Sequence, residues 1–367
     1  MNRLQRLYTE CGQSPWLDNL RRGWITGGQL VELRDRGVRG LTSNPTIFQK
    51  AIQGSADYDE QFSALTRSRV APRDAYWSLV LRDIDSALDV FAPVYESSGG
   101  EDGFVSVEVD PNLAHDSGGT LTSARELHER VGRPNVMIKI PATREGLPAI
   151  RAMIAEGRSV NVTLIFSLER YAQVLEAYVA GLEDLARSTT SDLSRVASVG
   201  SFFISRVDTE VDRRLEAIGT PDALALRGRA AVAQGQLAYR MFTEVFRGAR
   251  WQALAARGAR LQRPLWASTS TKNPAYRDTL YVEELIGPHT VNTLPDATLE
   301  AFDDHGQVAR RVDIDVDAAA QTWQAIAAVG VDHAAVAEQL EREGVSSFQK
   351  SFDELLTALT AKAAELS

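Results

Sequence analysis

The stretch NVMIKIP, residues 135–141, contains one lysine, Lys139, within an apolar run. A short run of this kind, bounded by a polar residue and a proline, is typical of a strand buried in a parallel sheet. A lysine is rarely fully buried unless a partner holds it. Because burial disfavours the charged ammonium, a neutral and nucleophilic amine becomes accessible near neutral pH. The segment therefore predicts either an imine-forming lysine or a strand-end lysine whose head reaches water.

Other apolar, β-branched stretches alternate with helical patterns along the chain. The eight candidate strands lie around Trp16–Leu20, Val38–Ser43, Phe104–Val109, Val136–Ile140, Ser159–Ile165, Ala197–Ile204, Pro264–Ser268 and His289–Thr293. Apolar residues at helical spacing predict helices at Asp74–Tyr95, Thr120–Val131, Arg144–Glu156, Leu168–Ala186 and Tyr276–Leu285. Strands that alternate with helices form parallel sheets, and eight such units predict an α/β fold, a (β/α)8 TIM barrel.

Two regions exceed a minimal barrel of this kind. An Ala- and Arg-rich region, Asp222–Leu261, predicts extra helices between strands six and seven, and Val316–Leu366 predicts further helices at the C-terminus. The last of these, residues 346–366, carries an apolar face. We expect a single domain over residues 1–367, with helix 346–366 packed over or near the active site.

The composition is that of an ordinary globular protein, 44% hydrophobic and 24% charged, with a net charge of -9. This acidic balance argues against a nucleic-acid-binding surface. The single cysteine, Cys11, excludes an intrachain disulfide, and the five histidines lack metal-ligand spacing. No stretch approaches the ~18 apolar residues of a membrane span, and the N-terminus lacks a signal core. We therefore expect a cytoplasmic protein without a metal site and without membrane association.

Polar residues lie on the strand faces that are predicted to point into the barrel. In Phe104–Val109, three valines share one face, while Ser106 and Glu108 share the other. A purely structural barrel would fill its interior with aliphatic side chains, and barrel active sites lie at the C-terminal ends of the strands. The inward polar residues therefore predict one pocket at that end. They are Asp18, Asn44, Glu108, Lys139, Asn161, Thr163 and Ser205.

The loop after strand seven, residues 268–273, is rich in hydroxyl groups and contains Lys272. Phosphate sites in such barrels often use the loops after strands seven and eight, and hydroxyls with a cation suit a phosphate dianion. Candidate phosphate ligands are Ser268, Ser270 and Lys272, together with Arg206 just past strand six. Strand alternation also places Trp266 on the same inward face as Ser268. An ordinary Ser/Thr-rich turn would explain the loop equally well.

Several motifs together resemble the transaldolase family, in the longer bacterial type. They are Leu41-Thr42-Ser43-Asn44-Pro45-Thr46, Val105-Ser106-Val107-Glu108-Val109-Asp110, Met137-Ile138-Lys139-Ile140-Pro141-Ala142-Thr143 and Asn161-Val162-Thr163-Leu164-Ile165-Phe166-Ser167. The resemblance extends from about residue 12 to the C-terminal helix. It implies a (β/α)8 barrel that uses no metal or organic cofactor. It also implies transfer of a dihydroxyacetone unit from sedoheptulose 7-phosphate to glyceraldehyde 3-phosphate in the pentose phosphate pathway, giving erythrose 4-phosphate and fructose 6-phosphate.

The resemblance also implies a role for each pocket residue. Lys139 would form the Schiff base with the ketose, and Asp18 would take the proton of the C4 hydroxyl and later return it. Glu108 and Thr163, with a bound water, would move protons while the imine forms and hydrolyses. The dihydroxyacetone hydroxyls would bind Asn44, Asn161 and Ser205.

The phosphate residues match the family pattern less well. Many transaldolases have a proline and an aromatic residue after the strand-six serine and an arginine shortly after the strand-seven serine, whereas here a longer Ser/Thr run precedes Lys272. Three alternative functions stay open: a lyase that releases free dihydroxyacetone from fructose 6-phosphate, a non-catalytic sugar-phosphate-binding barrel, and a glycosidase using Glu108 and Asp110. The sequence leaves monomer and homodimer open and assigns no role to Cys11.

Overall fold

The computed structural model describes residues 1–188 and 191–365, which form a closed barrel of eight parallel strands in chain order. The strands are Gln13–Leu17 (β1), Leu41–Thr42 (β2), Val105–Glu108 (β3), Val136–Pro141 (β4), Val160–Ile165 (β5), Ser198–Phe203 (β6), Gln262–Ala267 (β7) and Thr290–Leu294 (β8). The predicted α/β fold, a (β/α)8 barrel, is confirmed.

Helices surround the barrel and cover one of its ends. Those before β5 are Arg3–Cys11 (α1), Arg22–Thr26 (α2), Gln29–Asp35 (α3), Pro45–Gln53 (α4), Asp59–Arg67 (α5), Pro72–Ser97 (α6), Ser117–Val131 (α7) and Gly146–Ala155 (α8). Those after β5 are Leu168–Ala186 (α9), Ser205–Ile218 (α10), Pro221–Leu224 (α11), Ala230–Val245 (α12), Ala249–Ala255 (α13), Leu280–Glu283 (α14), Asp296–His305 (α15), Val316–Ala328 (α16) and His333–Glu365 (α17). The extra helices predicted between strands six and seven are thus present.

The first and last strands pair to close the barrel. Their register runs from Gln13 opposite Thr290 to Leu17 opposite Leu294. The Gln13 side chain is fully buried, and its amide donates to the Leu285 carbonyl at 2.8 Å and to Thr290 Oγ1 at 2.9 Å. The first strand begins earlier than its apolar residues predict because these hydrogen bonds allow a polar residue to be buried.

The second strand is shorter than predicted, because only Leu41 and Thr42 have strand geometry. The residues before them still bond to β1: the Arg39 N–H donates to the Pro15 carbonyl at 2.8 Å, and the Leu17 N–H donates to the Gly40 carbonyl at 3.0 Å. This short strand therefore still completes the hydrogen bonding of the barrel wall.

A buried carboxylate, Asp102, joins several strands at the N-terminal end of the barrel. It accepts hydrogen bonds from Ser14 Oγ at 2.7 Å and Trp16 Nε1 at 3.1 Å, and it pairs with Arg39 at 2.7 Å and Arg263 at 3.0 Å. Burial opposes ionisation of this carboxyl, but Arg263 and Arg39 outweigh it and lower its pKa. This end of the barrel is therefore closed by a satisfied polar network.

Two predicted helices differ from the structure. Residues 276–285 were predicted to form one helix, but only Leu280–Glu283 is helical. The final helix begins at His333 rather than at residue 346, and it continues through Gly344, where the helix approaches the end of β5 closely. A Cβ at Gly344 would lie 2.9 Å from Leu164 Cδ2, so glycine permits the approach. The predicted last residue, Leu366, lies outside the described residues.

Helix α17 packs across the end of the barrel formed by the C-terminal ends of the strands. Ser351 on α17 and Thr46 on α4 share a hydrogen bond of 2.8 Å, and Phe352 packs edge-on against Tyr76 of α6 with ring centroids 5.0 Å apart. Phe348, on the same helix, lines a cavity in this end of the barrel. No helix within residues 1–188 or 191–365 is long and apolar enough to cross a membrane.

Candidate active site

Lys139 lies in the interior of the barrel, near the C-terminal end of β4. It pairs in register with Glu108 of β3, and its Nζ is 3.2 Å from Glu108 Oε2. Nζ also donates a hydrogen bond to the Ser43 carbonyl at 3.1 Å. Only 4% of the residue is exposed. The lysine is thus held inside by a carboxyl group and a carbonyl, and its head does not extend to bulk water.

The two carboxyl groups of the site are suited to proton transfer. Burial raises the pKa of Glu108 above its ordinary value, although Lys139 opposes the rise. Burial also raises the pKa of Asp18, against the opposing effects of Lys139 and of a hydrogen bond of 2.8 Å from Thr42 Oγ1. Thr42 shares a further hydrogen bond of 2.6 Å with Thr293. A raised pKa makes a carboxyl group a better proton carrier, because it holds its proton more readily than an ordinary carboxyl group.

These groups surround a cavity of about 330 Å³ under helix α17. Eight of the eleven predicted site residues line it: Asp18, Asn44, Lys139, Thr163, Arg206, Ser268, Ser270 and Lys272. Thr163 Oγ1 is buried and has no hydrogen-bond partner among the residues that the structure describes. That hydroxyl is therefore available to a bound water or substrate.

Glu108, Asn161 and Ser205 are buried beside the cavity and do not line it. The Asn161 amide donates to Ser106 Oγ at 3.0 Å and accepts from Ser201 Oγ at 2.7 Å, so serines on β3 and β6 hold both of its ends. Ser205 Oγ is 2.8 Å from Ser268 Oγ. Asn44 Oδ1 caps helix α4 by accepting from the Ile47 N–H at 3.0 Å, while the residue lines the cavity.

Two residues with left-handed backbone conformation shape the wall. Leu164 has a φ of 60° beside a register shift in β5, and Ser268 has a φ of 57° directly after β7. Such values are uncommon outside glycine and break strand alternation. The prediction that Trp266 faces inward was therefore wrong: its Nε1 donates to the Leu285 carbonyl at 2.9 Å, and its ring packs against Phe202 outside the cavity.

Cations collect on one side of the cavity. Arg206 is the second residue of helix α10, and Lys272 donates to Ser270 Oγ at 2.7 Å. Burial lowers the pKa of Lys272, and the neighbouring charges of Arg206 and Lys50 lower it further. Within residues 1–188 and 191–365, neither Arg206 nor Lys272 has a carboxylate within 4 Å. Unpaired cations held close together suit a phosphate dianion.

Several residues of the cavity were not in the predicted site. Lys50, near the end of α4, lines it near Lys272, and the Phe348 ring lies over Lys139 with its centroid 5.7 Å from Nζ. Both lie on helices, so strand alternation gave no signal for them. Thr42 and Thr293 are strand residues, and the alternation of inward and outward side chains along their strands could have indicated them.

A buried amine, an adjacent carboxyl group and a second carboxyl group on the cavity wall define a barrel of the Schiff-base aldolase class. Residues 15–359 match the sequence profile of the transaldolase/fructose-6-phosphate aldolase family. The chain belongs to this family, which confirms the resemblance found in its motifs.

Individual relatives are similar over almost their whole length. Transaldolase 1 of Streptomyces coelicolor is 53% identical over 361 residues, which cover 97% of this chain and 94% of the relative. The transaldolase of Saccharopolyspora erythraea is 52% identical over 350 residues, 95% of this chain and 94% of the relative. The transaldolase of Mycobacterium ulcerans is 51% identical over 355 residues, 96% of this chain and 95% of the relative.

Proposed function

We propose that this chain is a transaldolase that moves a dihydroxyacetone unit from sedoheptulose 7-phosphate to glyceraldehyde 3-phosphate, through an imine on Lys139. The observation that carries the proposal is the buried amine 3.2 Å from the Glu108 carboxyl group, beside a cavity that Asp18 also lines. Relatives that are 51–53% identical and named transaldolase favour transfer over release of free dihydroxyacetone.

The first steps form the imine. The Lys139 amine adds to the ketose C2 carbonyl, and the resulting carbinolamine loses water to give a cationic imine. Glu108 is the nearest carboxyl group to Nζ, so it donates the proton that the leaving hydroxyl needs. Thr163, whose hydroxyl lacks a partner among the described residues, orients the departing water. The same groups act in reverse when the product imine hydrolyses.

The next steps break and remake a carbon–carbon bond. Asp18 removes the proton of the C4 hydroxyl, the C3–C4 electron pair moves into the iminium, and erythrose 4-phosphate leaves. The carbanion equivalent stays bound to Lys139, where Asn44, Asn161 and Ser205 are the proposed partners of its hydroxyls, the last two from beside the cavity. It then attacks the aldehyde of glyceraldehyde 3-phosphate, and Asp18 returns the proton to the new C4 hydroxyl. The product is an imine of fructose 6-phosphate on Lys139, and its hydrolysis by water releases the sugar and the free amine.

The remaining assignments rest on charge and position. Arg206, Lys272, Ser268 and Ser270 are proposed to bind the terminal phosphate of both sugar phosphates, with Lys50 beside them. None of these steps requires a metal or an organic cofactor. We further propose that the chain forms a single domain and acts in the cytoplasm. Helix α17 is proposed to exclude water from the carbanion intermediate.

Reductive trapping tests the proposal. Incubation with fructose 6-phosphate and borohydride should add a dihydroxyacetone-derived group to the Lys139 peptide, and Lys139→Met should abolish both the adduct and the transfer. Lys272→Met is the matched control, because it removes a cavity amine that forms no imine and should retain an adduct on Lys139. An adduct on another lysine would refute the mechanism. Release of free dihydroxyacetone at the same rate with and without an acceptor aldehyde would identify a lyase instead.

A further inference from the structure

Two aspartate–tyrosine pairs join helix α10 to the segment that follows β7. Asp208 and Asp212 lie four residues apart on α10, close behind Arg206. Tyr281 donates from its hydroxyl to Asp208 Oδ2 at 2.8 Å, and Tyr276 donates to Asp212 Oδ2 at 2.5 Å. None of these four residues belongs to the imine chemistry, so the network requires a separate explanation.

The second oxygen of each carboxylate accepts a hydrogen bond from the backbone around the start of α12. Asp208 Oδ1 accepts from the Ala231 N–H at 2.7 Å, and Asp212 Oδ1 accepts from the Gly228 N–H at 2.9 Å. Gly228 has a φ of 71°, and a Cβ there would lie 2.7 Å from the Tyr276 ring. Tyr276 is therefore held both by its hydroxyl and by the close approach of the backbone to its ring.

Neither carboxylate has a cationic partner within 4 Å among the described residues, although Asp208 is 1% and Asp212 is 7% exposed. Burial raises the pKa of both groups, to about 6 for Asp208. Burying carboxylates without a cation costs stability. That the fold nevertheless contains two of them side by side points to a task other than stability.

The two aspartate–tyrosine pairs hold the segment after β7 against helix α10, and this contact indicates their role. The segment after β7 is tied to the start of α10 at Ser268, where the Ser205 N–H donates to the Ser268 carbonyl at 3.0 Å, and again at Tyr276. In the sequence, Lys272 lies midway between Ser268 and Tyr276, and Arg206 directly follows Ser205. Arg206 and Lys272 repel each other, so in the absence of an anion their proximity has to be maintained by the surrounding structure.

We propose that Tyr276, through Asp212, is a positioning residue that holds Lys272 next to Arg206, so that the site for a phosphate monoester is formed before the substrate binds. The inference rests on the proposed function in that the phosphate belongs to the sugar substrate. Its class of ligand is the terminal phosphate of a phosphorylated ketose or aldose. A preformed site avoids the loss of conformational entropy on binding and so raises affinity.

The test compares donors that differ only in the phosphate. Tyr276→Phe should raise the KM for fructose 6-phosphate and the Kd for inorganic phosphate by about three- to tenfold, the size of one lost hydrogen bond. The kcat with fructose 6-phosphate and the kcat/KM with fructose should not change when D-erythrose is the acceptor, which gives sedoheptulose as the product. Tyr239→Phe is the matched control, since it removes a hydroxyl that bonds to the Pro288 carbonyl at 3.1 Å and should leave all values unchanged.

A double-mutant cycle identifies the residue through which Tyr276 acts. In a Lys272→Met background, Tyr276→Phe should cause no further loss of phosphate affinity. Additive losses, or equal losses with fructose and fructose 6-phosphate, would overturn the proposal. If Tyr276→Phe folds poorly, Asp212→Asn weakens the same hydrogen bond and should shift phosphate affinity in the same direction. A protein that binds phosphate as expected but transfers nothing from fructose 6-phosphate would refute the proposed function and support the positioning role.

Discussion

The Phe348 ring should stabilise the positive charge that forms on Lys139 when the imine is made. Its centroid is 5.7 Å from Nζ, near the outer limit for a cation–π interaction, and the ring is 4% exposed. Such interactions contribute about 0.5–1 kcal/mol at exposed sites and about 2 kcal/mol when desolvated, so at this distance we take about 1 kcal/mol. Phe348→Leu removes the π system and keeps most of the apolar bulk. A free-energy difference of about 1.4 kcal/mol corresponds to a tenfold change in an equilibrium constant. The loss of about 1 kcal/mol should therefore make the cationic imine about fivefold less populated.

The assay is borohydride trapping at subsaturating fructose 6-phosphate, with the modified fraction of the Lys139 peptide measured by mass spectrometry. The same variant should also release more free dihydroxyacetone per transfer, because a smaller side chain admits water to the carbanion. The matched control is Phe352→Leu, one turn further along α17, whose ring packs on Tyr76 and Trp77 and does not line the cavity.

Both substitutions should lose less stability than the ~3–5 kcal/mol typical of Phe→Ala in a core. Only Phe348→Leu should change the trapped fraction. If the two variants reduce the adduct equally, the effect comes from loosening α17 as a whole. If neither does, the ring has no part in stabilising the cation. Either result would refute the reasoning.

Three further predictions concern other parts of the molecule. Burial raises the pKa of Asp208 from 3.8 to about 6, so its ionised form destabilises the fold increasingly as pH rises through 6. Asp208→Asn should therefore gain up to about 3 kcal/mol in unfolding free energy, relative to the parent chain, between pH 4 and pH 7 in urea titrations. Gly40→Ala should lower the free energy of unfolding by about 1–3 kcal/mol or more, because a Cβ would lie 2.6 Å from the Trp16 ring. Gly118→Ala, at an exposed position of α7, should change the same quantity by no more than about 1 kcal/mol in thermal unfolding. Lys50→Met should weaken inorganic phosphate binding several-fold at low salt and much less at high salt; a salt-independent loss would contradict a direct charge effect.

The fold could be predicted because its strands and most of its long helices carry regular periodicity. Alternation along β3, β4 and β5 placed Glu108, Lys139 and Thr163 on inward faces, and the barrel brings them to one end. The alternation of inward and outward side chains gave a wrong prediction where the backbone leaves strand geometry. This happens at Ser268, whose left-handed φ turns the chain after Trp266. No sequence pattern marks such a residue when it is not glycine.

Other errors came from partners that are distant in the sequence. The segment 276–285 has apolar spacing, but Tyr276 and Tyr281 use their hydroxyls to bind aspartates on α10, and only the single turn Leu280–Glu283 is helical. The amide of Asn161 is occupied by serines on β3 and β6, which depends on the register of the four strands from β3 to β6. The contribution of Lys50 depends on where α4 lies against the barrel, which the sequence alone does not establish.

The Asp102 network also has a consequence for the order in which the chain folds. Its partners Ser14 and Arg263 are 249 residues apart, and both must be in place before the hydrogen-bond network of the carboxylate is complete. Contacts across such long loops have a large entropic cost and tend to form late. Until then the β1 edge lacks its β8 partner and can pair with another chain. Closing the end of the barrel that is remote from the chemistry therefore protects the folding chain against aggregation.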